Sequence, residues 1–248
     1  MPRFMLEYYY YTYSEASMLL KGLQKLTLLD YPGKIACTVF TGGCNFRCPF
    51  CHNASLVLGE RVKESASLPE EEFFAFLKKR RGILEGVCVS GGEPTLQPDI
   101  LPFLYNIKEL GYLVKLDTNG YRPDILKRVL SEGFADYVAM DIKSSKEGYA
   151  AAVGIENFDV SPICESVDFL MNGNFDFEFR TTLVRELHGE AEILGIGEWI
   201  AGAPKYFLQT FKDSGDLISS EFSGYDQNST EYLLKLLKST VPNAQIRG

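Results

Sequence analysis

Ile35-Ala36-Cys37-Thr38-Val39-Phe40-Thr41 runs into Gly42-Gly43-Cys44-Asn45-Phe46-Arg47-Cys48-Pro49-Phe50-Cys51, a short apolar run followed at once by three cysteines. The first part predicts a strand buried on both faces of a parallel sheet, because it is short, continuous and rich in β-branched and aromatic residues. The second part is C-x3-C-x2-C on the loop leaving that strand. In α/β barrels the loops beyond the carboxyl ends of the strands carry the chemistry. Thiolates hold iron–sulfur clusters, and a cubane has four irons to ligate. Three closely spaced cysteines, Cys44, Cys48 and Cys51, ligate three of them. With no fourth cysteine nearby, one iron keeps an open position, as a catalytic metal needs. A structural zinc site with His52 as fourth ligand competes, but zinc ligands commonly come as two separated pairs, and a His adjoining its Cys is an awkward chelate. An electron-transfer cluster would want a fourth cysteine. Cys37, Cys88 and Cys164 stand singly in apolar contexts and read as small core residues.

The same run is the first of several. Apolar segments recur at 86–90, 112–117, 137–142, 177–184 and 206–211, and helical patterns lie between them. Helices are expected at 98–110, 123–132, 161–171, 190–201 and 230–239. Ser67-Leu68-Pro69-Glu70 reads as a capping box opening another, whose apolar face carries Phe73, Phe74 and Leu77. In the helix at 190–201, Ile193, Ile196 and Ile200 share one face. Six strands alternating with helices argue for right-handed βαβ units around a parallel sheet. At roughly 30 residues per unit, residues 34–212 hold about six units, so the expected fold is α/β, an open partial TIM-type barrel. Residues 1–17, rich in tyrosine, read as a tail, with Met18 as an alternative start. Residues 18–217 would form the barrel and 218–248 a C-terminal helix and tail.

Composition limits what such a barrel can serve. The chain has 248 residues, is 46% hydrophobic and carries a net charge of −8. That balance gives no support to general nucleic-acid or anionic-membrane binding. No apolar run approaches the ~18 residues of a membrane span, and the first residues lack a secretory signal; a cytoplasmic protein is expected. Three clustered thiols in such a protein suggest a metal or redox site rather than a disulfide framework.

The strand ends carry further polar residues. Gly91 and Gly92 end the second apolar run without side chains, so backbone can approach a ligand closely, and Glu93 then places a carboxylate where an ammonium could be received. Asp117 ends the third run, before Thr118-Asn119-Gly120, where turn chemistry is an equal explanation. Asp141 ends the fourth, and Lys143 follows it. Arg180 interrupts the fifth; a charge there needs a polar cavity or a partner. Gln209 lies near the end of the sixth. His52 and Asn53 suit capping or hydrogen bonding in the cysteine loop, and His188 reads as a surface histidine.

Thr41 to Asn53 resembles the cysteine loop of radical S-adenosylmethionine (SAM) activating enzymes. More narrowly, the chain is similar from about Lys21 to Leu217 to the long-form activating proteins of anaerobic ribonucleoside-triphosphate reductases. Lys21-Gly22-Leu23-Gln24-Lys25, Asp30-Tyr31-Pro32-Gly33-Lys34, Ser90-Gly91-Gly92-Glu93-Pro94-Thr95, Asp117-Thr118-Asn119-Gly120 and Met140-Asp141-Ile142-Lys143 follow in that family's order. The resemblance implies the radical SAM fold, one 4Fe–4S cluster on Cys44, Cys48 and Cys51, and SAM as second cofactor. It puts the SAM amino group at Gly91-Gly92-Glu93, Asp141 and Lys143 against SAM, Arg180 at the SAM carboxylate or ribose, and Gln209 near the nucleoside. In some relatives a monovalent cation sits near the positions of Asp117 and Asp141. Asp30 matches a partner-facing position. The implied reaction is reductive cleavage of SAM to methionine and a 5′-deoxyadenosyl radical, which takes a hydrogen from a glycine of the partner reductase. A flavodoxin- or ferredoxin-type protein would supply the electron. Activation of another glycyl-radical enzyme, such as pyruvate formate-lyase, and small-molecule radical SAM chemistry, as in deazapurine synthesis, are the enzymatic alternatives. A non-catalytic metal-binding module is the alternative of another class.

Overall fold

The computed structural model describes residues 18–213 and 215–248, so the expected tail at 1–17 lies outside the described residues. Eight strands form one sheet in sequence order: β1 (Leu20–Thr27), β2 (Ala36–Thr41), β3 (Gly86–Gly91), β4 (Leu113–Thr118), β5 (Tyr137–Asp141), β6 (Phe177–Leu183), β7 (Tyr206–Thr210) and β8 (Ala244–Arg247). β1 is antiparallel to β2, and every later neighbour is parallel. Because each parallel strand lies beside its predecessor, successive right-handed crossovers place the helices on one face and roll the sheet into a barrel segment. β1 and β8 are its two edges, so the barrel is open.

Helices α1 (Ala54–Val57), α2 (Gly59–Glu64) and α3 (Glu70–Lys79) separate β2 from β3; α4 (Ile100–Glu109) and α5 (Pro123–Ser131) follow β3 and β4. α6 (Tyr149–Val153) and α7 (Ser161–Asn172) follow β5, α8 (Glu190–Trp199) follows β6, and α9 (Gln227–Leu237) follows β7. The six expected strands are all present. The two additional ones are the edges, β1 with its polar, Gly-containing sequence and β8 with four residues. Residues 218–248 are therefore no appendage: α9 and β8 complete one more parallel unit. The capping box at Ser67 does not form. Pro69 stands at the N-cap position of α3 with no side-chain cap, the Ser67 hydroxyl accepts from Lys21 Nζ, and Glu70 accepts from the Met18 amide instead.

Strand alternation divides the sheet chemically. Cys37, Val39, Val87, Val89, Val114, Leu116, Val138, Met140, Phe179 and Leu208 are fully buried in the apolar core. The alternate positions include Thr38, Lys115, Asp117, Asp141, Glu178, Arg180, Thr182 and Gln209. Such alternation means one apolar face and one polar face, so the strands are not uniformly apolar as their sequences suggested. The polar face and the loops leaving the parallel strands together make the site.

Candidate functional site

Cys44, Cys48 and Cys51 lie on the loop between β2 and α1 and line a cavity of about 440 Å3. Every strand-end residue singled out from the sequence lines the same cavity: Gly91, Gly92, Glu93, Asp117, Asp141, Lys143, Arg180 and Gln209, with Asp30 as well. A larger groove of about 970 Å3 lies between the start of β1 and the helices α3 and α4, but its lining holds no cysteine or histidine.

The cysteine loop is held by its neighbours' backbone. The Gly92 amide donates to the Thr41 carbonyl and the Glu93 amide to the Gly43 carbonyl, both at 2.8 Å. A Cβ at Gly91 would stand 2.3 Å from the Thr41 nitrogen, and one at Gly92 would stand 2.0 Å from the Gly43 oxygen. The glycine pair therefore serves close approach of β3 to the cysteine loop, apart from any ligand. The Glu93 side chain is 1% exposed. Its Oε1 accepts from the Thr95 amide at 3.0 Å and the Thr118 hydroxyl at 2.7 Å, and its Oε2 from the Asn119 amide at 2.7 Å. Burial pushes its carboxyl pKa up while those bonds oppose the rise. Glu93 thus ties the end of β3 to the end of β4. Asn119 in turn donates to the Asn45 side chain at 2.9 Å, inside the cysteine loop.

Opposite the cysteines stands a chain of alternating charge. Lys115 pairs with Asp117, Asp117 with Arg180 at 3.4 Å, Arg180 with Asp141 at 2.9 Å, and Asp141 with Lys143 at 3.0 Å. Burial disfavours an ionised Asp141, yet Arg180 and Lys143 outweigh it and hold its carboxyl down to about 2. Against the same burial, Asp141 holds the Lys143 ammonium firmly charged. The place between Asp117 and Asp141, where a monovalent cation was expected, is bridged by the Arg180 guanidinium. Arg180 therefore meets the two carboxylates first, as a buried charge must. Lys115, 1% exposed, was missed because a lysine in an apolar run gives no sign of facing inward.

His188 is fully buried, not a surface residue. Its Nδ1 accepts from the Val184 amide at 3.0 Å, which leaves the proton on Nε2, 2.7 Å from the Lys143 carbonyl. Its ring also meets Phe50, between Cys48 and Cys51. His52 stacks on Phe211.

Cys44, Cys48 and Cys51 all line the one cavity, and three thiolates are a donor set that iron–sulfur clusters take. Burial, with Glu93 adding to it, pushes the Cys44 thiol up to about 12, and burial pushes Cys48 up to about 11. Thiols this deep ionise when a metal takes the place of the proton.

Known proteins are similar to this chain in sequence and in fold. The sequence profile of the Radical SAM superfamily matches residues 38–192. Over 235 residues, 92% of this chain and 95% of the relative, the sequence is 30% identical to a Methanocaldococcus jannaschii protein provisionally named a glycyl-radical enzyme activating enzyme. It is 33% identical over 139 residues to the pyruvate formate-lyase-activating enzyme of Clostridium pasteurianum, covering 54% of this chain and 56% of that one. It is 29% identical over 169 residues to 7-carboxy-7-deazaguanine synthase of Koribacter versatilis, covering 64% and 66%. Among solved structures, QueE from Escherichia coli matches with a TM-score of 0.57 over 97% of this chain and 96% of that one, at 14% identity. SuiB of Streptococcus suis bound to S-adenosylmethionine matches with a TM-score of 0.62 at 14% identity, over 83% of this chain and 48% of SuiB, so the chain spans about half of that protein.

Proposed function

Because this chain belongs to the radical SAM superfamily, whose cofactors are a 4Fe–4S cluster and SAM, we propose that it is a glycyl-radical activase. Its protein substrate is an anaerobic ribonucleoside-triphosphate reductase. The observation that carries the activase reading is the end-to-end similarity to the M. jannaschii relative, with 92% of this chain and 95% of that one aligned. The reductase as partner rests on the order of motifs from Lys21 to Lys143.

Cys44, Cys48 and Cys51 would hold the cluster, which together with SAM would supply one-electron chemistry for taking a hydrogen atom. The chain's own residues bind and orient. Besides packing on the cysteine loop, the end of β3 at Gly91 and Gly92 would offer carbonyl oxygens to the SAM amino group, and Lys143, held by Asp141, would present a fixed cation toward SAM. Gln209 lines the same cavity and would lie near the nucleoside, and Phe46, Phe50 and Val57 line it with apolar wall that would exclude water from the reacting atoms. Asp30 lines the cavity from the segment before β2 and would meet the partner. A low-potential flavodoxin or ferredoxin would deliver the electron.

The small-molecule reading, prompted by the deazaguanine synthase relative, rests on an alignment over 64% of this chain, against 92% for the M. jannaschii relative. The open sheet would leave an inserted protein loop a way in.

The test is anaerobic EPR of reconstituted protein with SAM, a reductant and the same organism's anaerobic ribonucleotide reductase. The expected result is a glycyl doublet on the reductase that Cys48→Ala abolishes. 5′-Deoxyadenosine without a doublet would remove the reductase as partner. Neither product from protein shown to hold iron and sulfide would remove the catalytic reading.

A further inference from the structure

Between β7 and α9 the chain takes a long path, 211–226, where βα connections commonly need about 2–6 residues. Part of that path is fastened to the outer side of the cysteine loop. Asn53, at the N-cap position of α1, makes no side-chain cap. The opening amides of α1 are satisfied from far along the chain: Ala54 donates to the Asp216 carbonyl at 3.2 Å, and Ser55 to Asp216 Oδ2 at 3.0 Å. The Ser55 hydroxyl donates to the same oxygen at 2.7 Å, and Arg61 of α2 lies 3.4 Å from Oδ1. Three residues on, the Ser219 amide donates to the Pro49 carbonyl at 2.9 Å, and the Phe222 ring meets Phe50 at 6.3 Å. Pro49 and Phe50 are the two residues between Cys48 and Cys51. Leu217 and Phe222 anchor the segment by packing against the core.

A helix start ordinarily takes its cap from its own N-cap residue. Here the cap for the helix that follows Cys51 comes from the far end of the barrel, so the geometry of the third cysteine depends on that segment being seated. We propose that residues 215–222 are a clasp on the cluster loop, and that Asp216 is the positioning residue for Cys51. With the clasp seated, Phe50 and Ala54 are buried and Cys51 is partly covered, which limits the access of solvent and oxygen to this side of the loop. The proposal rests on reading the cysteine loop as a cluster loop and is independent of which protein receives the radical.

The test compares cluster-loaded wild type, Asp216→Ala, Asp216→Asn and Ser55→Ala. Visible cluster absorbance is followed in air, and limited proteolysis of the same samples is followed anaerobically. Asp216→Ala is expected to bleach about five-fold faster, the change that loss of one cap produces in a local opening equilibrium, and to be cut faster within 213–221. Asp216→Asn keeps an acceptor for Ser55 and is expected to bleach at nearly the wild-type rate. Ser55→Ala, which keeps its backbone amide, should fall between them and serves if Asp216→Ala does not fold. Wild-type bleaching in Asp216→Ala at equal iron content, or equal damage by Asn and Ala, would overturn the clasp. Absence of iron and sulfide from the wild type would instead overturn the cluster reading on which it rests.

Discussion

At His188 the imidazole joins two backbone segments: Nδ1 accepts from Val184 after β6, and Nε2–H donates to the carbonyl of Lys143 after β5. The ring must be neutral to do both, and burial lowers its pKa below the ordinary 6.5. In the unfolded chain the same imidazole takes up a proton near pH 6.5, while the folded chain resists it. As pH falls below about 6.5 the unfolded state binds more protons, so stability falls; above that value this residue contributes no slope. Anaerobic urea unfolding at pH 7.5 and 5.5 should show wild type losing about 1 kcal/mol more than His188→Gln over that interval. Equal losses in the two proteins would show that His188 does not hold its proton balance this way. The thiols at Cys44, Cys48 and Cys51 were legible because their spacing is itself the chemistry. His188 and Lys115 were not, since a lone histidine and a lysine in an apolar run give no sign in the sequence that they turn inward, His188 to the Lys143 carbonyl 45 residues away and Lys115 to the Asp117 carboxylate on the polar face of the sheet.

The end of β3 is an element whose two glycines have a packing purpose. Gly92 leaves no room for a methyl group beneath the Gly43 carbonyl, and the obstruction is backbone, which cannot rotate aside. Gly92→Ala is therefore expected to cost about 2–3 kcal/mol and to lower iron bound per chain after reconstitution. A variant with full iron content and wild-type unfolding would contradict the close approach. The strands that pack against helices were readable almost to their ends, as at Tyr137–Asp141 and Tyr206–Thr210, because burial against helices leaves an apolar signal. β1 was not, because an edge strand with only two of its eight residues buried keeps little of that signal. The short helix α1 after the cysteines was also invisible, as its cap is supplied by Asp216 and not by a local residue.

At the scale of the molecule, β8 closes the chain with a buried ion pair. Arg247 donates to both oxygens of Glu178, at 2.6 and 2.9 Å, while its guanidinium lies 3.5 Å from the centre of the Phe207 ring. Glu178 is fully buried and also accepts from the Tyr137 hydroxyl. Removing one partner strands a buried charge, so Arg247→Ala should destabilise by about 3 kcal/mol. Removing both charges, as Glu178→Gln with Arg247→Met, should restore most of it, measured by the urea midpoint. A double variant as unstable as the single would mean that the apolar packing of Arg247, not its charge, holds β8. By itself the sequence determined the cysteine loop, the succession of strands and helices and the strand ends that meet in one cavity, because each depends on residues a few positions apart. Only the tertiary structure decided that Arg180 bridges Asp117 and Asp141, that His188 braces Lys143, that Asp216 caps α1 and that the last residues form a strand. Each of these is a pairing between groups far apart in the chain. Burial and charge balance select such partners only after the sheet has rolled and brought them together.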